Sequence, residues 1–367
     1  MVKQPLTVLF AGYAPVHFIC FLPLFNKLSD SPEVEVFVTG GLREKAENGY
    51  VYDTQAMYTP FNIDADKMLT VEEADKRHFN VVFSSSTSLV STCTYDKSIQ
   101  IFHGISFRNR SVRGENLSYD YYFMIGPYMR RNFSSGNLIS ENDPRGINIG
   151  FMKTDKLINS NWDKKALTQS FGFDGSRPIL LYAPTGQKYN SLETIGEEVI
   201  KNICESDRFD LVIKVHDHPK NDLSEILGRV KALESKHCII THEKDVAKCL
   251  YAADLLITDA SSVSSEYALL NRPLVYLDVP KLIKKAKSKE GSMLDLNTWG
   301  RRAGKVITMP EEAVNIIQYS LDHPDEMSDT RQQMANDLFF NPGHATDVAF
   351  EWFSNNFIVK SAHNINT

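Results

Sequence analysis

A chain of 367 residues exceeds a usual single core, so two α/β domains of roughly 150–200 residues each are the first expectation. With 42% hydrophobic and 23% charged residues the composition excludes a mainly disordered chain, and the net charge of −6 argues against a nucleic-acid partner. Cys20, Cys93, Cys204, Cys238 and Cys249 are scattered, with no C-x-x-C pair and no His at zinc-finger spacing, so reduced thiols and no metal are expected.

The opening Met1-Val2-Lys3-Gln4-Pro5 leads straight into an apolar run, Leu6–Ala11, that reads as a strand. No signal-peptide cleavage region intervenes, which predicts a cytoplasmic protein. No stretch approaches the roughly 20 apolar residues that span a bilayer; even Phe18 to Phe25 is stopped by Asn26 and Lys27. Further short apolar runs follow at Val34–Thr39, Val81–Ser84, Ile99–Phe102, Tyr121–Ile125 and Ile147–Ile149. Between the first two, Phe18, Phe21, Leu22, Phe25 and Leu28 recur at three- and four-residue steps, which predicts a helix laid on a sheet, kinked or limited at its start by Pro23.

The pattern restarts with Ile179–Tyr182, then Leu211–Val215, Ile239–Ile240, Leu255–Thr258, Leu274–Leu277 and Val306–Ile307, separated by segments of helical period. Such alternation is that of βαβ units around mostly parallel sheets. The polar stretch Asn159 to Pro178 predicts a domain junction near Asn161. Residues 1–160 are then an N-terminal Rossmann-like domain on the acceptor side and 161–344 a Rossmann-like donor domain, with 345–367 crossing back to the first. The fold class expected is α/β, with two Rossmann-like domains facing a cleft lined by the C-terminal ends of both sheets.

Four strand ends carry candidate chemistry. At Thr258-Asp259-Ala260-Ser261-Ser262 a buried strand meets a helix start, where unpaired N–H groups and two hydroxyls suit a pyrophosphate. Capping of that helix by Asp259 and the serines is the alternative. Glu266, one turn on, either accepts from ribose hydroxyls or forms an ordinary surface contact. At Gln100-Ile101-Phe102-His103-Gly104 the glycine permits a sharp turn that leaves His103 at the sheet edge, as a general base or as a histidine bonded within the turn. Gly12, Gly104 and Arg108 are the companion candidates for the acceptor or its phosphate.

At Lys214-Val215-His216-Asp217-His218-Pro219, strand alternation puts Lys214 and His216 on one face, where they could neutralise a leaving diphosphate. Metal ligation there is disfavoured because no carboxylate or Cys cluster completes a ligand set. Tyr182-Ala183-Pro184-Thr185-Gly186 ends another strand, and the Thr185 hydroxyl with nearby backbone N–H groups either meets the nucleotide or only turns the chain. The basic run Lys281–Lys289 is read as a solvated segment or as a peripheral contact with an anionic membrane.

Taken in order, these pieces resemble the CDP-glycerol glycerophosphotransferase family of teichoic-acid and capsule-type polymer synthesis. Gln100 to Gly104 matches its Gln-x-x-His-Gly element, Gly150 to Asp155 its Gly-x-Pro-Arg-x-Asp element, and Tyr182 to Thr185 its Tyr-Ala-Pro-Thr segment. Lys214 to Pro219 matches a strand ending in His-Pro, and Asp254 to Leu270 the Asp-x-Ser-Ser helix start. Met152 and Lys153 depart from the usual Pro-Arg, Ala260 replaces an aromatic, and Asp217 leaves two histidines, His216 and His218, for one family position.

The resemblance implies the glycosyltransferase-B architecture and transfer of a polyol phosphate from a CDP-linked donor to a hydroxyl of a cell-surface polymer or glycolipid acceptor. His103 would be the base, with His216 catalytic on the donor side. Thr185, Gly186, Lys214, His218, Asp259, Ser261, Ser262 and Glu266 would line the donor. No cofactor is implied, since the nucleotide-diphosphate is a substrate; the acceptor would be a glycan, polyol phosphate or lipid-linked molecule, which fits an enzyme working at the inner face of the plasma membrane. Alternatives are a glycosyltransferase using a CMP- or UDP-linked sugar for capsule or lipopolysaccharide-type glycan, a nucleotide-sugar epimerase, and a non-enzymatic sugar-binding module.

Overall fold

The structure is a computed structural model that describes residues 4–47, 49–86, 88–105, 118–216, 222–243, 245–288 and 298–359. Arg108, His218 and Lys289, named above, lie outside the described residues. The described residues fall into two compact units: those within 4–104, 118–155 and 339–359 form one, and residue 105 with those within 156–338 form the other.

In the first unit the strands are β1 (Leu6–Gly12), β2 (Val34–Gly40), the hairpin β3 (Leu42–Ala46) and β4 (Gly49–Asp53), β5 (His78–Ser84), β6 (Thr94–Ile101), β7 (Tyr121–Met124) and β8 (Gly146–Asn148). In the second they are β9 (Ile179–Tyr182), β10 (Asp210–Ile213), β11 (Cys238–Ile240), β12 (Leu255–Thr258), β13 (Leu274–Leu277) and β14 (Lys305–Ile307). Each unit holds a six-stranded sheet, ordered β2-β1-β5-β6-β7-β8 and β11-β10-β9-β12-β13-β14. Every pairing within the two sheets is parallel, and every apolar run named from the sequence belongs to one of them. Burial on both faces accounts for the continuous apolar runs, since helices cover both sides of a parallel sheet.

Strand order reverses once in each sheet, between β1 and β5 in the first and between β9 and β12 in the second. At such a reversal the connections leave in opposite directions and open a crevice at the carboxyl ends of the strands. The β3–β4 hairpin has no counterpart in the sequence reading: seven of its ten residues are exposed, β3 carries Arg43, Glu44 and Lys45, and β4 offers only the short run Tyr50-Val51-Tyr52.

The helix Pro15–Ser29 follows β1 with proline at its first turn, so Pro15 and not Pro23 marks its start; Pro23 lies inside it. It buries Phe18, Phe21, Leu24, Phe25 and Leu28, each contributing about 1.5–3 kcal/mol of burial. Phe21 and Phe25 reach Phe10 of β1, whose ring stacks on Phe83 of β5 at 4.8 Å.

The Gly150–Asp155 element proves architectural in large part. Gly150 has φ +107°, and a Cβ there would stand 2.1 Å from the Phe340 carbonyl oxygen. Asp155 accepts hydrogen bonds from the Ala345 and Thr346 amides, at 3.2 and 2.7 Å, and from the Thr346 hydroxyl at 2.7 Å. The carboxylate thereby satisfies free amides at the start of the helix Ala345–Phe353. That helix returns to the first sheet, with Trp352 against Tyr121 and Phe123, and Phe353 against Phe83.

Candidate functional site

In the first unit, polar groups gather where β1, β5 and β6 end. β6 stops at Ile101, and His103 follows on a turn in which Gly104 holds φ +154°. The His103 Nδ1 lies 3.1 Å from Ser85 Oγ and 3.3 Å from the Ser85 carbonyl oxygen, just past the end of β5. A carbonyl only accepts, so this geometry puts the ring proton on Nδ1 and leaves the Nε2 lone pair free. Partial burial pushes the His103 pKa below the ordinary imidazole value, the Lys153 charge adds to this, and the Ser85 carbonyl opposes it. The ring stays open to solvent, which limits the size of the shift.

Two neighbours of His103 were not among the residues selected for the site from sequence. His17, on the first turn of the helix Pro15–Ser29, is 3% exposed, and its ring centroid is 4.9 Å from that of His103. Lys153 is buried in the 3-10 turn Met152–Thr154, with Nζ 5.7 Å from the Phe151 ring. The available signal for His17 was a polar residue in the first turn of a helix whose other inward positions are apolar, soon after a strand end. Gly12 serves this helix: a Cβ at that position would lie 3.1 Å from the His17 Cβ.

In the second unit the ends of β9 and β12, the two strands that flank the reversal, are tied together by Asp259. Its carboxylate is fully buried and accepts from the Thr185 amide at 2.8 Å, the Ser191 amide at 2.9 Å and the Ser191 hydroxyl at 2.9 Å. Burial raises its pKa from the ordinary carboxylate value, and these donors pull the other way. The Thr258 hydroxyl donates to the Ala183 carbonyl at 2.6 Å, and the hydroxyls of Tyr182 and Ser191 lie 2.8 Å apart. Asp259 thus braces the loop that carries Thr185 and Gly186.

The helix after this turn is short, Val263–Ala268, with Ser262 at its N-cap position making no side-chain cap bond. Ser261 Oγ accepts weakly from the Val263 amide at 3.4 Å, and Ser264 Oγ donates to the Ser261 carbonyl at 2.9 Å. Ser261 and Ser262 are both half-buried, while Glu266 is buried one turn further on.

Lys214 is buried just past β10, its ammonium donating to the Val215 carbonyl at 3.2 Å. His216 is exposed and sits over Gly186, where a Cβ would lie 2.7 Å from its Cγ and 2.8 Å from its Nδ1. Thr185, Gly186, His216 and Asp259 are therefore brought together, with Ser261 and Ser262 next along the chain. Among the described residues no group of three His, Cys, Asp or Glu could hold a metal ion.

The basic run is largely one amphipathic helix, Pro280–Ser288. Leu282 packs with Ala260 and Val279, while Lys281, Lys284, Lys285 and Lys287 are exposed. Lys285 Nζ lies 5.3 Å from the centroid of the Tyr189 ring. Among the described residues no helix is long and apolar enough to cross a membrane.

Two parallel sheets, each with polar side chains collected where strand order reverses, define an α/β nucleotide-binding enzyme fold of the glycosyltransferase-B kind. The chain belongs to the CDP-Glycerol:Poly(glycerophosphate) glycerophosphotransferase family, whose pattern matches residues 55–345. It is 30% identical over 168 residues to the teichoic acid glycerol-phosphate primase of Bacillus subtilis (strain 168), a stretch that covers 43% of this chain and 39% of that protein. The chain therefore matches well under two thirds of that relative's length. The wall teichoic acid polymerase TagF superposes with a TM-score of 0.65 at 15% identity, covering 96% of this chain and 89% of that one. A UDP-GlcNAc 2-epimerase from Neisseria meningitidis superposes at 0.55 and 15% identity, covering 96% and 100%. At these identities the likeness is one of fold.

Proposed function

We propose that this protein transfers glycerol phosphate, or a similar polyol phosphate, from a CDP-linked donor to a hydroxyl of a polyol-phosphate or lipid-linked acceptor. The acceptor oxygen forms a new bond to the phosphorus next to the polyol, the anhydride bond to the nucleotide breaks, and CMP leaves with the electron pair. His103 Nε2 takes the hydroxyl proton, a task for which a neutral imidazole with Nδ1 held by Ser85 is suited. Thr185, Ser261 and Ser262 supply donors to the diphosphate, and Lys214, His216 and His218 offset charge on the leaving group. Asp259 acts by holding the Thr185 loop, and Gly12 and Gly104 act through backbone geometry.

The observation that carries this reading is the coincidence of family elements with strand reversals: the Gln-x-x-His-Gly histidine stands beside the β1–β5 reversal, and the Tyr-Ala-Pro-Thr and Asp-x-Ser-Ser turns meet at the β9–β12 reversal. The test is CMP release from CDP-glycerol with a short synthetic lipid ending in glycerol phosphate, in wild type and His103→Ala. Acceptor-dependent release that falls by about two to four orders of magnitude in the variant is expected. Release unchanged in the variant, or isomerisation of a UDP-sugar with no transfer from CDP-glycerol, would overturn the assignment.

A further inference from the structure

We infer that His17 is a positioning residue for His103: its ring fixes the orientation of the proposed base and screens one face of it from water. The inference rests on the base role given to His103 above.

His17 is an expensive choice for an interior helix position. The side chain is 3% exposed, where a hydrocarbon would avoid the cost of desolvating two ring nitrogens. Its neighbours on the buried face of the helix are Phe18, Phe21, Leu24 and Phe25. The imidazole is held tightly for a reason separate from the core. The Tyr13 amide donates to Nδ1 at 3.3 Å, the Tyr13 ring packs edge-on with centroids 4.4 Å apart, and Gly12 leaves just enough room beside the His17 Cβ. With Nδ1 accepting, the neutral ring carries its proton on Nε2, and Nε2 has no hydrogen-bond partner among the described residues. The ring is thus pinned at one end and lies against His103, tilted 39° to it.

Among the described residues, two charged side chains act on the pair. Arg43 of β3 stands over the Tyr13 ring at 3.9 Å, and Lys153 follows β8. Burial, the charge His103 would carry and the charge of Arg43 all push the His17 pKa well below the ordinary value. The two rings oppose double protonation, and of the two His17 is the more strongly held in its neutral form. The consequence is mechanical: when His103 gains a proton in the reaction, His17 does not compete for it, and it keeps the ring from turning away from Ser85.

The test compares wild type, His17→Ala and His17→Phe in the full chain. Steady-state turnover of CDP-glycerol with the synthetic glycerol-phosphate lipid is followed against pH, and the His103 ring is titrated by NMR. In His17→Ala, kcat is expected to fall roughly ten- to a hundredfold while the donor KM stays within about twofold, because misplacing a catalytic group costs rate more than ground-state binding. Water admitted to the vacated space raises the His103 pKa toward its ordinary value. A base must be neutral to act, so the acid limb of kcat/KM then moves to higher pH. His17→Phe keeps a ring against His103 but loses the Tyr13 pin, and should fall between the two.

An unchanged His103 titration in His17→Ala overturns the inference, as does a lowered Tm with kcat and acid limb unmoved, which marks a merely structural residue. Should His17→Ala fail to fold, His17→Phe with wild-type kcat and wild-type limb overturns the pinning claim. A normally active His103→Ala would refute the parent reading by itself, and the NMR titration would still decide whether the two rings are coupled.

Discussion

Replacing Asp259 by alanine removes the group that ties β9 to β12, and the geometry sets the size of the effect. The carboxylate is fully buried and takes three hydrogen bonds, from the Thr185 amide, the Ser191 amide and the Ser191 hydroxyl. The hydroxyl has Tyr182 as a second neighbour at 2.8 Å and can re-pair there, so two amides are left without partners. A stranded buried donor costs about 1–3 kcal/mol, which gives roughly 2–6 kcal/mol for two. Part is returned, because the native carboxylate is itself opposed by burial, as its raised pKa indicates. A net loss of about 2–4 kcal/mol in the unfolding of the second unit is therefore expected, read by urea denaturation with circular dichroism. Asp259→Asn should lose less, since its carboxamide oxygen still serves one amide while its NH2 group opposes the other. An alanine variant within about 0.5 kcal/mol of wild type would refute the brace, that being the range of surface substitutions. Lost CDP-glycerol binding with undiminished stability would do the same, and would return Asp259 to the donor-contact role first read from the sequence.

Three further outcomes are expected. Gly186→Ala places a methyl 2.7 Å from the His216 Cγ and must displace that ring; turnover of CDP-glycerol should fall about tenfold or more with little change in the urea midpoint, and wild-type kinetics would show that His216 is not needed where it sits. Ser262→Ala makes no change to helix capping, since Ser262 forms no cap bond, so calorimetry should find CDP-glycerol affinity reduced by about 0.5–1.5 kcal/mol at constant Tm. Equal affinity would remove that hydroxyl from the donor site. Glutamine at Lys281, Lys284, Lys285 and Lys287 should abolish salt-sensitive sedimentation with phosphatidylserine vesicles, and the absence of such sedimentation in wild type would end the membrane reading.

Strands were the most legible part of the chain because in a doubly covered parallel sheet burial alone dictates composition, and runs such as Leu255–Thr258 have no exposed face to dilute the signal. The β3–β4 hairpin obeys no such rule: most of its residues face water, so β3 reads as a polar connection, while the short Tyr50-Val51-Tyr52 run of β4 is a strand signal that burial does not explain. Site residues divided along a different line. His103 and Thr185 were legible as polar residues where an apolar run stops, a local property. What each side chain touches was not, because the partners are distant in sequence: Asp259 meets Thr185 and Ser191, His216 rests on Gly186, and Asp155 meets Thr346.

The same distinction explains why two elements that look alike in sequence do different work. The Gly150–Asp155 element and the Asp259–Ser262 turn both offer a carboxylate near a helix, and both carboxylates turn out to be fastenings, one for a returning helix and one for a neighbouring loop. A buried carboxylate that already accepts three hydrogen bonds has most of its acceptor capacity taken and little left for a ligand. Among the described residues, the His103 Nε2 lone pair and the His17 Nε2 proton are two groups at the strand ends of the first unit that retain such capacity. His17 escaped notice because helical periodicity counts it as one more inward position, and only the strand that ends at Gly12, five residues earlier, sets that position against the sheet edge that also carries His103.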